Sequence, residues 1–134
     1  MAEAETSLTT PEILFIDDDY SVRFSVHMML DDMCQNAGVR VEFVEVTNAE
    51  DALDRLDDEH RDTWPAGAIV DGLGGKCWPV IERARKCGIP VLLFTSREEF
   101  VWEAKNMGVP ACKKGSITVL LQEVVATFPF MAAA

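Results

Sequence analysis

The chain has 134 residues, 49% of them hydrophobic, and its 23 acidic and 12 basic residues give a net charge of −11. This length and composition suit one domain with its own core, and the negative charge argues against nucleic acid and anionic membranes as partners. The first twelve residues are polar and acidic, unlike a secretory signal, and the apolar runs are too short to cross a bilayer, so we expect a cytoplasmic protein.

Hydrophobic patterning predicts five strands that alternate with five helices in a domain at residues 12–129, between a flexible leader at 1–11 and a tail at 130–134. A polar loop, DEHRDTWPAG, is predicted before the third strand. The alternation favours an α/β fold, in which a parallel sheet carries helices on both faces. The predicted strands are, in chain order, EILFI, VRVEFVEV, AIVD, IPVLLFT and VPACKK.

Short polar residues mark the expected starts of three helices. Asp19 is placed as the N-cap of the first helix, because its carboxylate can accept hydrogen bonds from the first free backbone amides. Thr47 with Glu50, and Ser96 with Glu99, have the spacing of a capping box. The second helix is therefore predicted to begin after Thr47, and the fourth after Ser96.

Polar residues with useful chemistry follow four of the five predicted strands. The carboxyl ends of parallel strands meet at one edge of the sheet, which is where open α/β sheets bind ligands. Convergence from four strand ends predicts one site, made of Asp17 and Asp18 after the first strand, Asp71 after the third, Thr95 at the end of the fourth, and Lys113 and Lys114 at the end of the fifth.

Carboxylates, a hydroxyl and an ammonium group in one pocket suit phosphoryl transfer. Neighbouring carboxylates repel each other, and a Mg²⁺ ion held by Asp18 and Asp71 would remove that repulsion. An aspartate beside Mg²⁺ and a lysine can attack a phosphorus atom and become an acyl phosphate. The metal and the lysine would neutralise the charge on the transferring phosphoryl oxygens.

The segments ILFIDDDYSVR, AIVDG, VLLFTS and KKGS, in this order, resemble the receiver domain of bacterial two-component response regulators. The resemblance covers residues 12–128, nearly the whole chain. It implies a flavodoxin-like receiver fold with a five-stranded parallel sheet in the order 2-1-3-4-5. It also implies Mg²⁺ as the cofactor, a sensor histidine kinase or histidine phosphotransfer protein as the phosphodonor, an unknown downstream protein, and a monomer or phosphorylation-dependent dimer.

The resemblance gives each candidate site residue a role. Asp71 matches the phosphoacceptor, and Thr95 matches the switch hydroxyl that bonds the phosphoryl group. Lys114 matches the lysine that pairs with this group, and Lys113 is the alternative if the register shifts by one residue. Of the acidic pair after the first strand, Asp18 matches the direct metal ligand. The implied metal site comprises Asp17, Asp18, Asp71 and the backbone carbonyl of Leu73.

Several positions depart from the usual receiver pattern. Gly74 and Gly75 stand where receivers usually carry a Met-Pro pair, and Gly115 stands where a proline commonly follows the lysine. Ala111 occupies the position of the switching aromatic residue found in many receivers. The usual route from the switch hydroxyl to an aromatic side chain is therefore expected to be missing or rebuilt.

The expected output route runs through the Thr95–Ser96 loop into the fourth helix. Phe100 and Trp102 lie on that helix, and Trp102 falls off its apolar face. These two aromatic residues are therefore the predicted partner surface, and activation is expected to shift the fourth helix.

We expect a phosphoacceptor whose own chemistry is limited to self-phosphorylation and autodephosphorylation, and two alternatives remain open. A phosphatase of the haloacid-dehalogenase type also has a D-x-D after an apolar strand, as Asp17–Asp19 supplies. It would need a later acidic pair, and after Lys114 only Glu123 remains. The altered loop after Asp71 and the missing aromatic favour a degenerate receiver that binds partners without phosphorylation, whereas the intact acidic pair, acceptor, hydroxyl and lysine oppose it.

Overall fold

The computed structural model describes residues 10–132, which form a five-stranded parallel sheet with helices on both faces. The strand order is β2-β1-β3-β4-β5, so the predicted fold class and topology are confirmed. The strands are β1 (Glu12–Ile16), β2 (Glu42–Val46), β3 (Gly67–Val70), β4 (Val91–Thr95) and β5 (Ala111–Lys113). The helices are α1 (Tyr20–Ala37), α2 (Ala49–Arg55), α3 (Cys77–Lys86), α4 (Glu98–Asn106) and α5 (Ile117–Thr127).

The sheet separates two apolar layers, which explains why its central strands are apolar throughout. Along β1, Leu14 and Ile16 pack toward α2, α3 and α4, whereas Ile13 and Phe15 pack toward α1 and α5. All four side chains are buried. Because side chains alternate between faces, a strand that is covered on both sides needs apolar residues at every position.

Helix starts and loop boundaries differ in detail from the predictions. The Thr47–Glu50 capping box is wrong, because the neighbouring Asn48 caps α2 by accepting a hydrogen bond from the Asp51 amide at 2.8 Å. The Ser96–Glu99 box is also wrong, since α4 begins after Arg97 and has no side-chain cap. The polar loop before β3 contains a short 3-10 helix at Asp58–Thr63, and β2 is three residues shorter than predicted.

The two chain ends bear on the predicted domain limits. Most of the predicted leader, residues 1–9, lies outside the described residues. At the other end, a 3-10 turn at Pro129–Met131 enters the predicted tail, and Met131 is fully buried in the layer under α1 and α5. Within residues 10–132, no helix combines the length and apolar character needed to span a membrane.

Candidate functional site

Three carboxylates meet at the carboxyl edge of the sheet. Asp17 directly follows β1 and Asp71 directly follows β3, and these strands are neighbours whose pairing continues with a 2.8 Å bond from the Asp71 amide to the Ile16 carbonyl. One carboxylate oxygen from each of Asp17, Asp18 and Asp71 lies within 4.8 Å of the others. The parallel topology thus brings together residues that are more than fifty positions apart in sequence.

Lys114 bridges two of these carboxylates. Its ammonium Nζ lies 2.7 Å from Asp17 Oδ2 and 2.7 Å from Asp71 Oδ1. The bridge is possible because β5 pairs with β4 and the pairing extends to a 2.8 Å bond from the Lys114 amide to the Thr95 carbonyl. Lys113 is exposed. The structure therefore brings Lys114, and not its neighbour, to the acidic cluster.

Burial and charge act in opposite directions on the bridged groups. Asp17 is fully buried, and this desolvation raises the pKa of its carboxyl group despite hydrogen bonds from Lys114 and the Asp19 amide, which lower it. Burial also acts to lower the pKa of Lys114, but hydrogen bonds to Asp17 and Asp71 outweigh it, and the net pKa is raised. Lys114 is therefore a firmly protonated cation at neutral pH.

The three consecutive aspartates after β1 have different environments. Asp17 is buried and Asp18 is exposed. Asp19 caps α1, because its Oδ1 accepts hydrogen bonds from the amides of Ser21 at 2.9 Å and Val22 at 3.4 Å. The predicted capping role of Asp19 is confirmed, and Asp17 and Asp18 remain for the site.

The acidic cluster fits a small divalent cation. Mg²⁺ binds oxygens at about 2.1 Å in an octahedron, so opposite ligands lie about 4.2 Å apart. Adjacent ligands of such an ion lie about 3.0 Å apart, so the oxygens of this cluster, which lie within 4.8 Å of one another, would have to move closer together to bind it. Both oxygens of Asp17 already accept hydrogen bonds, from the Asp19 amide and from Lys114, whereas Asp18 is exposed. The carbonyl of Leu73 accepts a 3.1 Å bond from the Lys76 amide, and its role as a ligand stays a prediction.

Thr95 lies at the end of β4, beside the loop that follows Asp71. Its side chain is buried, and its Oγ1 accepts a 3.1 Å hydrogen bond from the Arg97 amide at the start of α4. A Cβ atom added to Gly72 would lie 2.8 Å from this Oγ1 and 2.8 Å from Cδ2 of Phe100. Gly72 is therefore needed for the close approach of the Asp71 loop to Thr95 and α4.

Comparisons with known proteins identify the fold but no sequence family. No protein-family model matches the chain, and no curated protein sequence matches it. The response regulator receiver SdrG from Pseudomonas melonis Fr1, solved in its BeF3-activated conformation, superposes with a TM-score of 0.58 at 21% identity, over 85% of this chain and 95% of that one. The chain has a receiver fold.

A second solved structure shows how general this architecture is. A de novo designed Rossmann 2x3 protein superposes with a TM-score of 0.60 at 15% identity, over 81% of this chain and 82% of the designed one. A designed scaffold thus superposes on this chain about as well as SdrG does, so the fold by itself does not indicate a function. The function must therefore be argued from the side chains at the carboxyl edge of the sheet.

The two aromatic residues predicted as a partner surface differ in exposure. Trp102 is 68% exposed on α4. Phe100 is half-buried, and its ring meets the edge of Trp78 on α3 at a centroid distance of 5.6 Å. In this receiver fold Phe100 therefore connects the Asp71 loop to α3, and Trp102 is the residue that faces solvent.

Sequence reasoning missed two features of the site. Arg23 lies on the buried face of α1, and its Nη1 donates a 2.6 Å hydrogen bond to the backbone carbonyl of Asp17. The available signal was a charged residue at helical spacing from the apolar positions Val26 and Leu30. The second feature is an exposed apolar stripe that starts beside the cluster and comprises Tyr20, Phe24 and Met28 of α1.

Gly72→Ala is expected to destabilise the protein by roughly 1–3 kcal/mol, the usual range for overpacking a well-packed position. The added Cβ would overlap Thr95 Oγ1 and the Phe100 ring, so both must shift. Urea unfolding followed by circular dichroism measures the effect. Gly74→Asn is the control, because Gly74 faces open space and asparagine tolerates its φ of +63°. Equal stability of Gly72→Ala and wild type would contradict this packing.

Proposed function

We propose that the chain is a phosphoacceptor receiver of a two-component phosphorelay, in which Asp71 takes a phosphoryl group with the help of Mg²⁺. The observation that carries the proposal is the double contact of Lys114 with Asp17 and Asp71 at the carboxyl edge of the sheet. A hydroxyl, that of Thr95, lies at the end of the adjacent strand. These groups supply a nucleophile, a cation and a hydrogen-bond donor for one phosphoryl group.

In the proposed reaction, the phosphoryl group passes directly from the donor to Asp71. A carboxylate oxygen of Asp71 forms a bond to phosphorus while the bond from phosphorus to the donor breaks, and the electron pair leaves with the donor. The Lys114 ammonium is already beside this carboxylate, so it can stabilise the charge that develops on the phosphoryl oxygens. Bound Mg²⁺ would neutralise further negative charge. Asp18 and Asp71 are its proposed carboxylate ligands, and Asp17 is the third carboxylate of the cluster.

Thr95 is proposed to carry the change from the phosphoryl group to α4. Its Oγ1 accepts a hydrogen bond from the Arg97 amide, so the hydrogen of the hydroxyl group is available for donation to a phosphoryl oxygen. Gly72 lies close to both Thr95 and Phe100, and the Arg97 amide is bonded to Thr95, so a movement of this hydroxyl would be transmitted to the start of α4. Trp102, exposed on the same helix, then offers the surface that a downstream partner or a second copy would contact.

The phosphodonor is proposed to be a histidine kinase or a histidine phosphotransfer protein that docks on α1. Tyr20, Phe24 and Met28 form one exposed stripe that begins three residues after Asp17. A protein that must place its phosphohistidine against Asp71 has to cover this region. Exposed apolar side chains at helical spacing offer it a contact surface.

Binding of beryllofluoride, which mimics a phosphoryl group on a carboxylate, tests the proposal. In the presence of Mg²⁺ we expect saturable binding to the wild type and none to Asp71→Ala, measured by amide hydrogen exchange. Protection changes across residues 95–107 would support output through α4, and changes confined to residues 72–78 would contradict that route.

Two other outcomes would favour the alternative functions. A folded wild type that binds no beryllofluoride with Mg²⁺ would indicate a degenerate receiver that acts as a binding module. Multiple turnovers of a small phosphoester such as p-nitrophenyl phosphate would instead indicate a phosphatase of the haloacid-dehalogenase type. The receiver proposal requires binding without such turnover.

A further inference from the structure

Arg23 is a buried cation placed directly behind the acidic cluster. It occupies the inward face of α1 together with Val26, Leu30 and Cys34, and it is only 9% exposed. Its Nη1 donates a 2.6 Å hydrogen bond to the Asp17 carbonyl, and its Nε donates a 3.1 Å hydrogen bond to Oε1 of Glu45. Burying a charged arginine costs free energy unless its N–H groups are hydrogen-bonded. Here the planar guanidinium donates to two polar groups, the Asp17 carbonyl and the Glu45 carboxylate.

The contact with Asp17 helps to fix the backbone around Asp18. The peptide group before Asp18 is held through its carbonyl, which accepts from Arg23. The peptide group after Asp18 is held through its amide, since the Asp19 N–H donates a 2.9 Å bond to Asp17 Oδ1. With both flanking peptide groups held, the Cα–Cβ bond of Asp18 has a fixed direction, which limits the positions that its exposed carboxylate can reach.

The guanidinium is itself held in place from the edge of the sheet. Glu45 lies on β2, and its second oxygen, Oε2, is 2.8 Å from Nδ1 of His27 on α1. The hydrogen bond from His27, followed by that from Arg23, lowers the pKa of Glu45. Glu45 is therefore an anionic anchor that orients Arg23 toward the Asp17 carbonyl.

We propose that Arg23 is a positioning residue for the metal-binding acidic pair, acting through the Asp17 carbonyl to aim Asp18. The inference rests on the proposed function, because it assumes that this pair holds Mg²⁺. Groups that orient metal ligands commonly change metal affinity 10- to 100-fold when they are removed. Arg23 touches neither the metal ligands' carboxylates nor the phosphoryl group, so its effect is expected on metal affinity first.

The test is the Mg²⁺ dissociation constant of Arg23→Lys, measured by amide chemical shifts during a titration with Mg²⁺ alone. Lysine keeps the charge but lacks the planar fork, so it cannot donate to Asp17 and Glu45 in the same way. We expect at least a tenfold weaker affinity in a protein whose amide spectrum remains folded. Arg40→Lys is the matched control, because Arg40 is an exposed arginine outside the site, and its affinity should equal that of the wild type.

Two further variants make the result decisive. Asp18→Asn is measured in parallel: if it fails to weaken Mg²⁺ binding, the metal site itself is wrong and the role of Arg23 is rejected with it. If Asp18→Asn weakens binding but folded Arg23→Lys does not, only the role of Arg23 is overturned. If Arg23→Lys does not fold, Glu45→Met decides, since methionine has no oxygen to accept the hydrogen bond from Arg23. Weaker Mg²⁺ binding in a folded Glu45→Met variant supports the inference, and unchanged binding overturns it.

Discussion

Lys114→Met is expected to lower the free energy of unfolding by about 3 kcal/mol at neutral pH, near the lower end of the range for breaking a buried ion pair. The substitution removes the cation that lies 2.7 Å from both Asp17 and Asp71. Asp17 is fully buried, so the substitution would leave a carboxylate in a poorly solvated environment without its cationic partner. Urea unfolding measures the loss. Lys113→Met is the control, because Lys113 is exposed and its removal should change stability by about 0.5 kcal/mol or less.

The stability lost in Lys114→Met should depend on pH, because it depends on whether the Asp17 carboxyl group is ionised. Burial raises the pKa of Asp17, so the folded protein holds this proton to higher pH than the unfolded chain does. Such a group lowers stability as pH rises through its folded pKa, and removing Lys114 would raise that pKa further. The deficit of Lys114→Met should therefore shrink as pH falls toward about 4, where carboxyl groups become protonated. A deficit that is constant between pH 7 and 4 would contradict this explanation.

At alkaline pH, the stability that the bridge contributes depends on the protonation of Lys114. The pKa of Lys114 is raised in the folded state, so its stabilising effect is fully present below its ordinary pKa and is lost as pH rises through the folded value. At neutral pH the wild type should hold the whole advantage of the bridge over Lys114→Met.

Asp71→Asn is expected to abolish phosphoryl incorporation from acetyl phosphate in the presence of Mg²⁺. The wild type should gain one phosphoryl group, seen by intact mass, because the Asp71 carboxylate is the proposed nucleophile beside Lys114. An amide at this position is a poor nucleophile and carries no charge to pair with the lysine. Asp54→Asn, at an exposed position on α2, is the control and should be labelled like the wild type.

Labelling of a folded Asp71→Asn variant to the wild-type extent would contradict the assignment of the acceptor. The amide spectrum of the variant should be recorded alongside, since Asp71 also accepts a 2.9 Å hydrogen bond from the Leu73 amide. An asparagine oxygen can still accept that bond, so the loop is expected to keep its conformation.

The sequence predicted the sheet and the cluster because both depend on strong local patterns. Strands buried on two faces appear as short apolar runs such as VLLF, and the residue after each run must lie at the carboxyl edge. That reasoning placed Asp17, Asp71 and Thr95 together without coordinates. It left Lys113 and Lys114 as alternatives, because a register change of one residue reverses the two faces of a strand.

The hydrogen bonds of individual side chains were harder to predict from the sequence than the position of the site. The capping boxes failed because Asn48 is a better cap than the adjacent Thr47, and because the Arg97 amide donates its hydrogen bond to Thr95 Oγ1. Helical spacing shows that Arg23 lies on the buried face of α1, but its contact with the Asp17 carbonyl depends on how α1 packs against the end of β1, which that spacing does not specify. The need for a glycine at position 72 likewise becomes visible only from its distance to Phe100.

Chemical mapping of the phosphorylated residue can identify the phosphoacceptor in the wild type, without relying on how a variant folds. The wild type is labelled with acetyl phosphate and Mg²⁺ and reduced with borohydride, which converts an aspartyl phosphate to homoserine. Peptide mass spectrometry then locates the product. We expect homoserine at position 71, and no product when Mg²⁺ is removed by chelation. Homoserine at another aspartate, or a wild type that remains unlabelled although folded and supplied with Mg²⁺, would contradict it.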